Sequence, residues 1–257
     1  MDETLKGKVA VVTGASRGIG KAIAETLAER GMRLVLAARS RDLLEKLAAA
    51  LPTESLVYAV DLRDGNAPAE LIAAANARFG QLDLLVNNAG ATKRGDFLTL
   101  PDADWADGFA LKFFGAMRCC RAAWPLLVNS RGCIVNIVGI GGRTGDAEFS
   151  IGGSVNSALL NLTKVLADRG IRDGVRVNAI NPGLIATDRL QLRIKNFAQK
   201  HNLDESQARQ ELAQEMGIAR FGMPEEIARV VAFLASPESG YIQGAIWDVD
   251  GGQTHTL

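Results

Sequence analysis

Short uninterrupted apolar runs alternate with longer amphipathic stretches along the whole chain. Residues 9–12, 34–38, 56–60, 82–86, 133–138, 175–180 and 246–249 read as strands, and the four between 56 and 180 each run into Gly, Asn or Asp. Between them lie helical patterns. Residues 18–30 space Ile19, Ala22, Ile23 and Leu27 along one face, and residues 41–51 do so with Leu43, Leu44 and Leu47. A strand that is apolar at every position is buried on both faces, and helices returning between such strands make the sheet parallel. The pattern predicts an α/β fold, a doubly wound parallel sheet of about seven strands with helices on both faces. The 257 residues carry no linker, repeat or low-complexity segment, so one domain over 1–257 is expected.

One stretch breaks the rhythm. Residues 190–221 are long, polar and helical. They read either as a solvated helical hairpin or as a lid, because functional insertions occupy loops at the carboxyl ends of strands.

Composition narrows the partners. Lys plus Arg and Asp plus Glu both number 29, and zero net charge removes the electrostatic case for nucleic acid or an anionic membrane. No apolar run approaches the roughly 18 residues of a membrane span. The opening MDETLKGK is polar, unlike a secretory signal, and Cys119, Cys120 and Cys133 read as buried thiols, so a cytoplasmic protein is expected. His201 and His255 stand apart from any ligand cluster, and no metal site is expected.

The first strand runs into Thr13-Gly14-Ala15-Ser16-Arg17-Gly18-Ile19-Gly20, and a helix follows. Gly14 permits a tight turn, Gly18 lets backbone approach a pyrophosphate, and Gly20 allows close helix packing. The helix start adds free N–H groups and a positive dipole end. The strand–turn–helix setting makes this a dinucleotide-binding signal. The second strand ends in Ala38-Arg39-Ser40 without the acid that holds ribose hydroxyls in NAD enzymes. Arg39, with Arg17 opposite, can pair with a 2′-phosphate, so NADP(H) is favoured over NAD(H).

The G-x-x-x-G-x-G spacing resembles the short-chain dehydrogenase/reductase family. The resemblance extends through Asn87-Asn88-Ala89-Gly90 after the fourth strand and Asn181-Pro182-Gly183-Leu184-Ile185-Ala186-Thr187 after the sixth. It reaches the ending from Arg220-Phe221-Gly222 to Asp250-Gly251-Gly252, and is nearest to the 3-oxoacyl-carrier-protein-reductase-like branch. It implies that Asp61 and Leu62 face the adenine, that Asn88, Ala89 and Gly90 line the cofactor floor, and that Pro182, Gly183, Ile185 and Thr187 sit at the nicotinamide. Thr187 can equally serve as a helix N-cap. It also implies a homo-oligomer, tetramer or dimer. The fourth and fifth helices would pack in one interface and the last strand and helix in another; Phe109, Leu111, Phe113, Phe114 and Met117 suit that interface or an ordinary core.

The family's catalytic pattern is where the chain departs. That chemistry uses a phenol and a lysine one helical turn apart, a serine that orients the carbonyl, and an asparagine on the preceding helix. A phenol titrating near pH 10 needs the nearby cation to act at neutral pH. By flanking motifs the asparagine position is Lys112, the serine position Gly139, the tyrosine position Gly152 and the lysine position Asn156. Tyr58 and Tyr241 are the only tyrosines, and neither falls at the site. Lysine and asparagine have exchanged places. Lys112 is read as a solvated side chain and Asn156 as a helix-surface residue, since burying an unpaired lysine is costly. The alternative is that the Lys112 ammonium reaches cofactor or substrate. Gly139, Gly152 and Gly153 are expected to leave an emptied pocket. Lys93, Arg94, Arg143, Asp146, Glu148, Ser150 and Ser154 are read as loop residues, Glu148 being a carboxyl that an apolar pocket would bring toward neutral pH.

Two functions follow. One is an oxidoreductase acting on a small-molecule carbonyl or alcohol by another proton route. The other is a catalytically silent cofactor-binding protein, a sensor or an oligomer partner.

Overall fold

The computed structural model describes residues 3–255, so the ends of the expected 1–257 domain lie outside the described residues. Seven parallel strands form one sheet in the order β3-β2-β1-β4-β5-β6-β7. They are β1 (Val9–Thr13), β2 (Arg33–Ala38), β3 (Ser55–Ala59), β4 (Leu84–Asn87), β5 (Cys133–Ile137), β6 (Arg176–Pro182) and β7 (Ile246–Val249). The helices are α1 (Gly18–Glu29), α2 (Arg41–Ala50), α3 (Ala67–Phe79), α4 (Asp102–Gly108), α5 (Gly115–Ser130), α6 (Ser150–Asp173), α7 (Asp188–His201), α8 (Glu205–Glu215) and α9 (Pro224–Ala235).

Alternate strand residues point to opposite faces. Ala10, Val12, Leu34 and Leu36 pack beneath Ile23, Leu27 and Leu44 from α1 and α2 and Ile227 and Val231 from α9. Val9, Val11, Val35 and Ala37 pack on the other side with Leu71 and Ala75 of α3 and Ala123 and Leu127 of α5. The continuous apolar runs thus feed two cores. A buried polar ladder crosses the second layer. Asn87 Nδ2 donates to Asn136 Oδ1 at 2.9 Å, and Asn136 Nδ2 to Thr163 Oγ1 at 2.9 Å, tying β4, β5 and α6 together. The three cysteines are free and buried, and burial pushes Cys133 up to about 11 and Cys120 to about 12.

The chain winds outward from β1 to β3 and then crosses to β4 on the other side of β1. The carboxyl ends of β1 and β4 therefore part, and a crevice opens where the winding reverses. The stretch beyond residue 187 is a helical hairpin with its own core, in which Leu190, Ile194 and Ala198 of α7 meet Ala208 and Leu212 of α8 and Phe221 beyond it. Asp204 caps α8, accepting from Ser206 N at 2.9 Å and Gln207 N at 2.8 Å. No helix among the described residues is long and apolar enough to cross a membrane. No group of three or more His, Cys, Asp or Glu among them is placed to hold a metal.

Candidate active site

A cleft of about 400 Å³ occupies the crevice. Gly14, Ser16, Arg17, Gly18, Ile19 and Gly20 form one wall, Arg39, Asp61 and Leu62 one end, Asn88, Ala89 and Gly90 the floor, and Thr187 the lid side. The glycine loop is pinned from below. Asn88 Nδ2 donates to Thr13 O at 2.9 Å and Gly14 O at 3.2 Å, while Thr13 Oγ1 accepts from Asn88 N at 3.0 Å and Ala89 N at 3.1 Å. Gly18 has φ +55°, and a Cβ there would lie 3.3 Å from Thr187 Cγ2. Neither Arg17 nor any other side chain caps the start of α1, so its first N–H groups are free for an anion.

Arg39 is exposed at the cleft rim, 4.0 Å from Asp61, whose carboxylate also pairs with Arg63 at 3.1 Å. Thr187 occupies the N-cap position of α7 without capping it; its hydroxyl donates to Ile185 O at 3.3 Å. Pro182, Gly183 and Ile185 do not line the cleft. Gly183 is pressed against Asp250, whose Cα would stand 2.8 Å from a Cβ, and Ile185 pairs with Gly222 in an isolated bridge.

Lys112 and Asn156 do not line this cleft but lie behind its floor, where a Cβ on Gly90 would stand 2.9 Å from Lys112 Cδ. Between α4 and α5 the helix widens into a π turn over Phe109–Phe114, a local widening often found at functional positions. Lys112 sits half-buried in that turn, and Asn156 of α6 is buried. The two meet directly. Lys112 Nζ donates to Asn156 Oδ1 and to Val138 O, both at 2.5 Å, and Asn156 Nδ2 donates to Gly139 O at 3.4 Å. The reading of Lys112 as solvated and Asn156 as a surface residue is therefore overturned. A carboxamide and a main-chain carbonyl provide the partners that make the burial tolerable. Burial, then the charge of Arg189, pushes the ammonium down to about 7.

The space expected to be empty at Gly139, Gly152 and Gly153 is occupied: a Cβ would meet Asn156 Nδ2 at 3.2 Å, the Phe149 ring, and Gly141 O at 3.1 Å respectively. Gly139 has φ +127°, a conformation that side-chain-bearing residues rarely adopt. At Gly152 a Cβ would fall 2.0 Å from the Phe149 ring, which fills the space expected to be vacant. Arg94 stacks on that ring, 4.6 Å from its centroid, and pairs with Asp146. Glu148 is exposed rather than in an apolar pocket. Lys93 is tied to Asp104 and Arg143 to Asp248. Tyr58 lies in β3 and Tyr241 is fully exposed. We expect Gly152→Ala to destabilise the protein by about 1–3 kcal/mol, the usual cost of overpacking. Chemical denaturation checks this; an unchanged midpoint would mean the Phe149 ring swings away freely.

A family model described as enoyl-(acyl carrier protein) reductase matches residues 14–254. A meso-2,3-butanediol dehydrogenase from Serratia marcescens is 33% identical over 249 residues, 96% of this chain and 94% of that one. A 3-oxoacyl-(acyl-carrier-protein) reductase from Vibrio cholerae is 35% identical over 249 residues, 96% and 98% of the two chains. The chain belongs to the short-chain dehydrogenase/reductase superfamily. Within it, L-sorbose reductase from Gluconobacter frateurii, solved with NADPH and L-sorbose, superimposes with a TM-score of 0.94 at 34% identity, over 100% of both chains. This short-chain dehydrogenase/reductase thus has an oxidoreductase fold, matched over its whole length by a reductase solved with NADPH.

Some residues of the site escaped sequence reasoning. Leu111 lines the cleft from the π turn, Phe149 packs its ring over Gly152, and Arg189 reaches from α7 to donate to Gly90 O. Arg189 was detectable in principle, because it follows Thr187 by two residues in the first turn of the lid.

Proposed function

We propose that this protein is an NADP(H)-dependent oxidoreductase interconverting a small-molecule carbonyl and its alcohol, with Lys112 replacing the phenol as proton donor. The observation that carries this is the ammonium held by Asn156 and Val138 beside the nucleotide cleft. The glycine loop, uncapped α1 start and floor residues fit a dinucleotide: Ser16, Arg17 and Ile19 around the pyrophosphate, Asp61 and Leu62 at the adenine, Asn88, Ala89, Gly90 and Thr187 toward the nicotinamide. Arg39 is proposed to hold the 2′-phosphate. Sequence relatives with dehydrogenase and reductase names, and a structural neighbour solved with NADPH, support the same reading.

When bound, NADPH would supply the hydride for the carbonyl carbon. Lys112 Nζ, as ammonium, gives its proton to the carbonyl oxygen and is left as the amine; in the oxidative direction the amine takes it back. Asn156 positions that nitrogen. With the orienting serine replaced by Gly139, the substrate has one fewer hydrogen bond, so slow turnover of generic ketones and 3-oxoacyl compounds is expected.

The positive φ at Gly139, which disfavours a side chain there, and the Phe149 ring support the second reading, a cofactor-binding protein without turnover. A panel of carbonyls with NADPH and alcohols with NADP⁺, followed in the reduced-nicotinamide absorbance band, separates the two. Turnover of any member that Lys112→Met abolishes supports the first reading; silence across the panel with tight NADPH binding supports the second. The preference for NADP(H) has its own test. Arg39→Ala should weaken NADPH by about tenfold or more, as loss of a charge-assisted hydrogen bond does, and leave NADH unchanged. Equal affinities of the parent for both cofactors would refute it.

Assembly as a homo-oligomer, tetramer or dimer, is part of this proposal. Apolar residues left facing outward support it: Phe114 on the π turn, Val165 and Ile171 on α6, and Tyr241 before β7.

A further inference from the structure

We propose that Arg189, on the lid, is a cofactor-binding residue whose guanidinium clamps the dinucleotide pyrophosphate from the side opposite the glycine loop. This rests on the nucleotide site proposed above and adds to it a side chain from outside the sheet crevice.

Arg189 belongs to the first turn of α7, and its Nη2 donates to Gly90 O on the cleft floor. Two residues earlier, Thr187 stands against Gly18, 3.3 Å from the position of a Cβ. The start of the lid therefore touches both the glycine loop and the floor, and the Arg189 side chain crosses the space between them. Both Arg17 and Arg189 line this cleft. Neither has an ion-pair partner among the described residues, and Asp188 on the same wall pairs with neither.

The surroundings of Arg189 disfavour its charge. Loss of surrounding water, then the charge of Arg17, weighs against the Arg189 cation. Two unpaired guanidinium groups facing one cleft are best stabilised by an anion between them. The glycine loop and the uncapped start of α1 already favour such an anion at this place. The 2′-phosphate is held elsewhere, at the Arg39 end, and the nicotinamide riboside end carries no anionic group. The pyrophosphate is the remaining charged part of the ligand. On binding, Arg189 exchanges the Gly90 carbonyl for phosphate oxygens, which couples the lid to the cofactor.

The test is calorimetric titration of the full-length parent and Arg189→Met with ADP-ribose, NADH, NADPH and 2′-AMP, with no carbonyl substrate present. ADP-ribose carries the pyrophosphate without the nicotinamide; 2′-AMP carries the 2′-phosphate without the pyrophosphate. We expect Arg189→Met to weaken ADP-ribose, NADH and NADPH by one common factor, about tenfold or more, and to leave 2′-AMP within twofold. Unchanged dinucleotide affinities would overturn the proposal. Weakening of NADPH alone would also overturn it, by assigning Arg189 to the 2′-phosphate. Circular dichroism monitors folding; if Arg189→Met proves unstable, Arg189→Gln is titrated by the same criteria. A parent that turns over no carbonyl leaves these titrations intact, whereas a parent that binds no ADP-ribose refutes the nucleotide site itself.

Discussion

Gly18→Val is expected to weaken nucleotide binding severely in a protein that still folds. Two effects combine at this position. The φ of +55° is one that β-branched residues rarely adopt, and the new Cβ meets Thr187 Cγ2 at 3.3 Å before the valine methyls are added. Those methyls project into the cradle where phosphate oxygens must approach backbone N–H groups. The core beneath the loop is untouched, because Gly18 lies at the start of α1 while Ile23 and Leu27 supply that helix's buried face. We expect the Kd for NADPH to rise at least about a hundredfold, corresponding to roughly 2.7 kcal/mol. Fluorescence titration measures it, and circular dichroism shows whether the helices persist. An unchanged Kd in a folded variant would remove the phosphate from this loop.

The second large effect is at Lys112. If its ammonium gives the proton, Lys112→Met should lower kcat/KM for carbonyl reduction by about a hundred- to ten-thousand-fold, the span of general acid–base catalysis. NADPH affinity should move far less. The pH profile supplies the sign. Burial and the charge of Arg189 bring this amine down to about 7, with Asn156 Oδ1 and Val138 O as its bonded neighbours. Reduction needs the protonated form, so kcat/KM is flat below the apparent pKa and falls tenfold per pH unit above it. Oxidation needs the free amine, so it rises to a plateau over the same range. Bound phosphates favour the cation and move both breaks upward from about 7. Residual activity that is indifferent to Lys112→Met would mean that the proton comes from elsewhere.

The fold was legible because its signals are local and repeated. Each strand is a run such as Val9-Ala10-Val11-Val12, apolar at successive positions because both faces are covered. The cleft residues were legible for a related reason. Gly14, Gly18 and Asn88 sit where a strand ends and the backbone must turn, so their identity carries their function. The Lys112–Asn156 contact was not legible. It spans two helices and depends on a π turn that no apolar periodicity announces, and on a main-chain carbonyl at Val138. Average burial costs favoured an outward lysine; two acceptors converging on one nitrogen reverse that balance. Phe149 escaped for a similar reason: it stands at the residue before α6, and its ring lies over Gly152, a contact no apolar periodicity announces.

The backbone at Gly139 bears on how this site can change over time. A serine there would force an L-residue to φ +127°, at a cost on the order of 1–3 kcal/mol. A tyrosine at position 152 would first require the Phe149 ring to leave. A lysine at position 156 beside Lys112 would set two ammonium groups against each other. Each of these three changes, taken alone, therefore passes through a less stable protein, and the place of Lys112 is guarded by its surroundings as much as by its own hydrogen bonds.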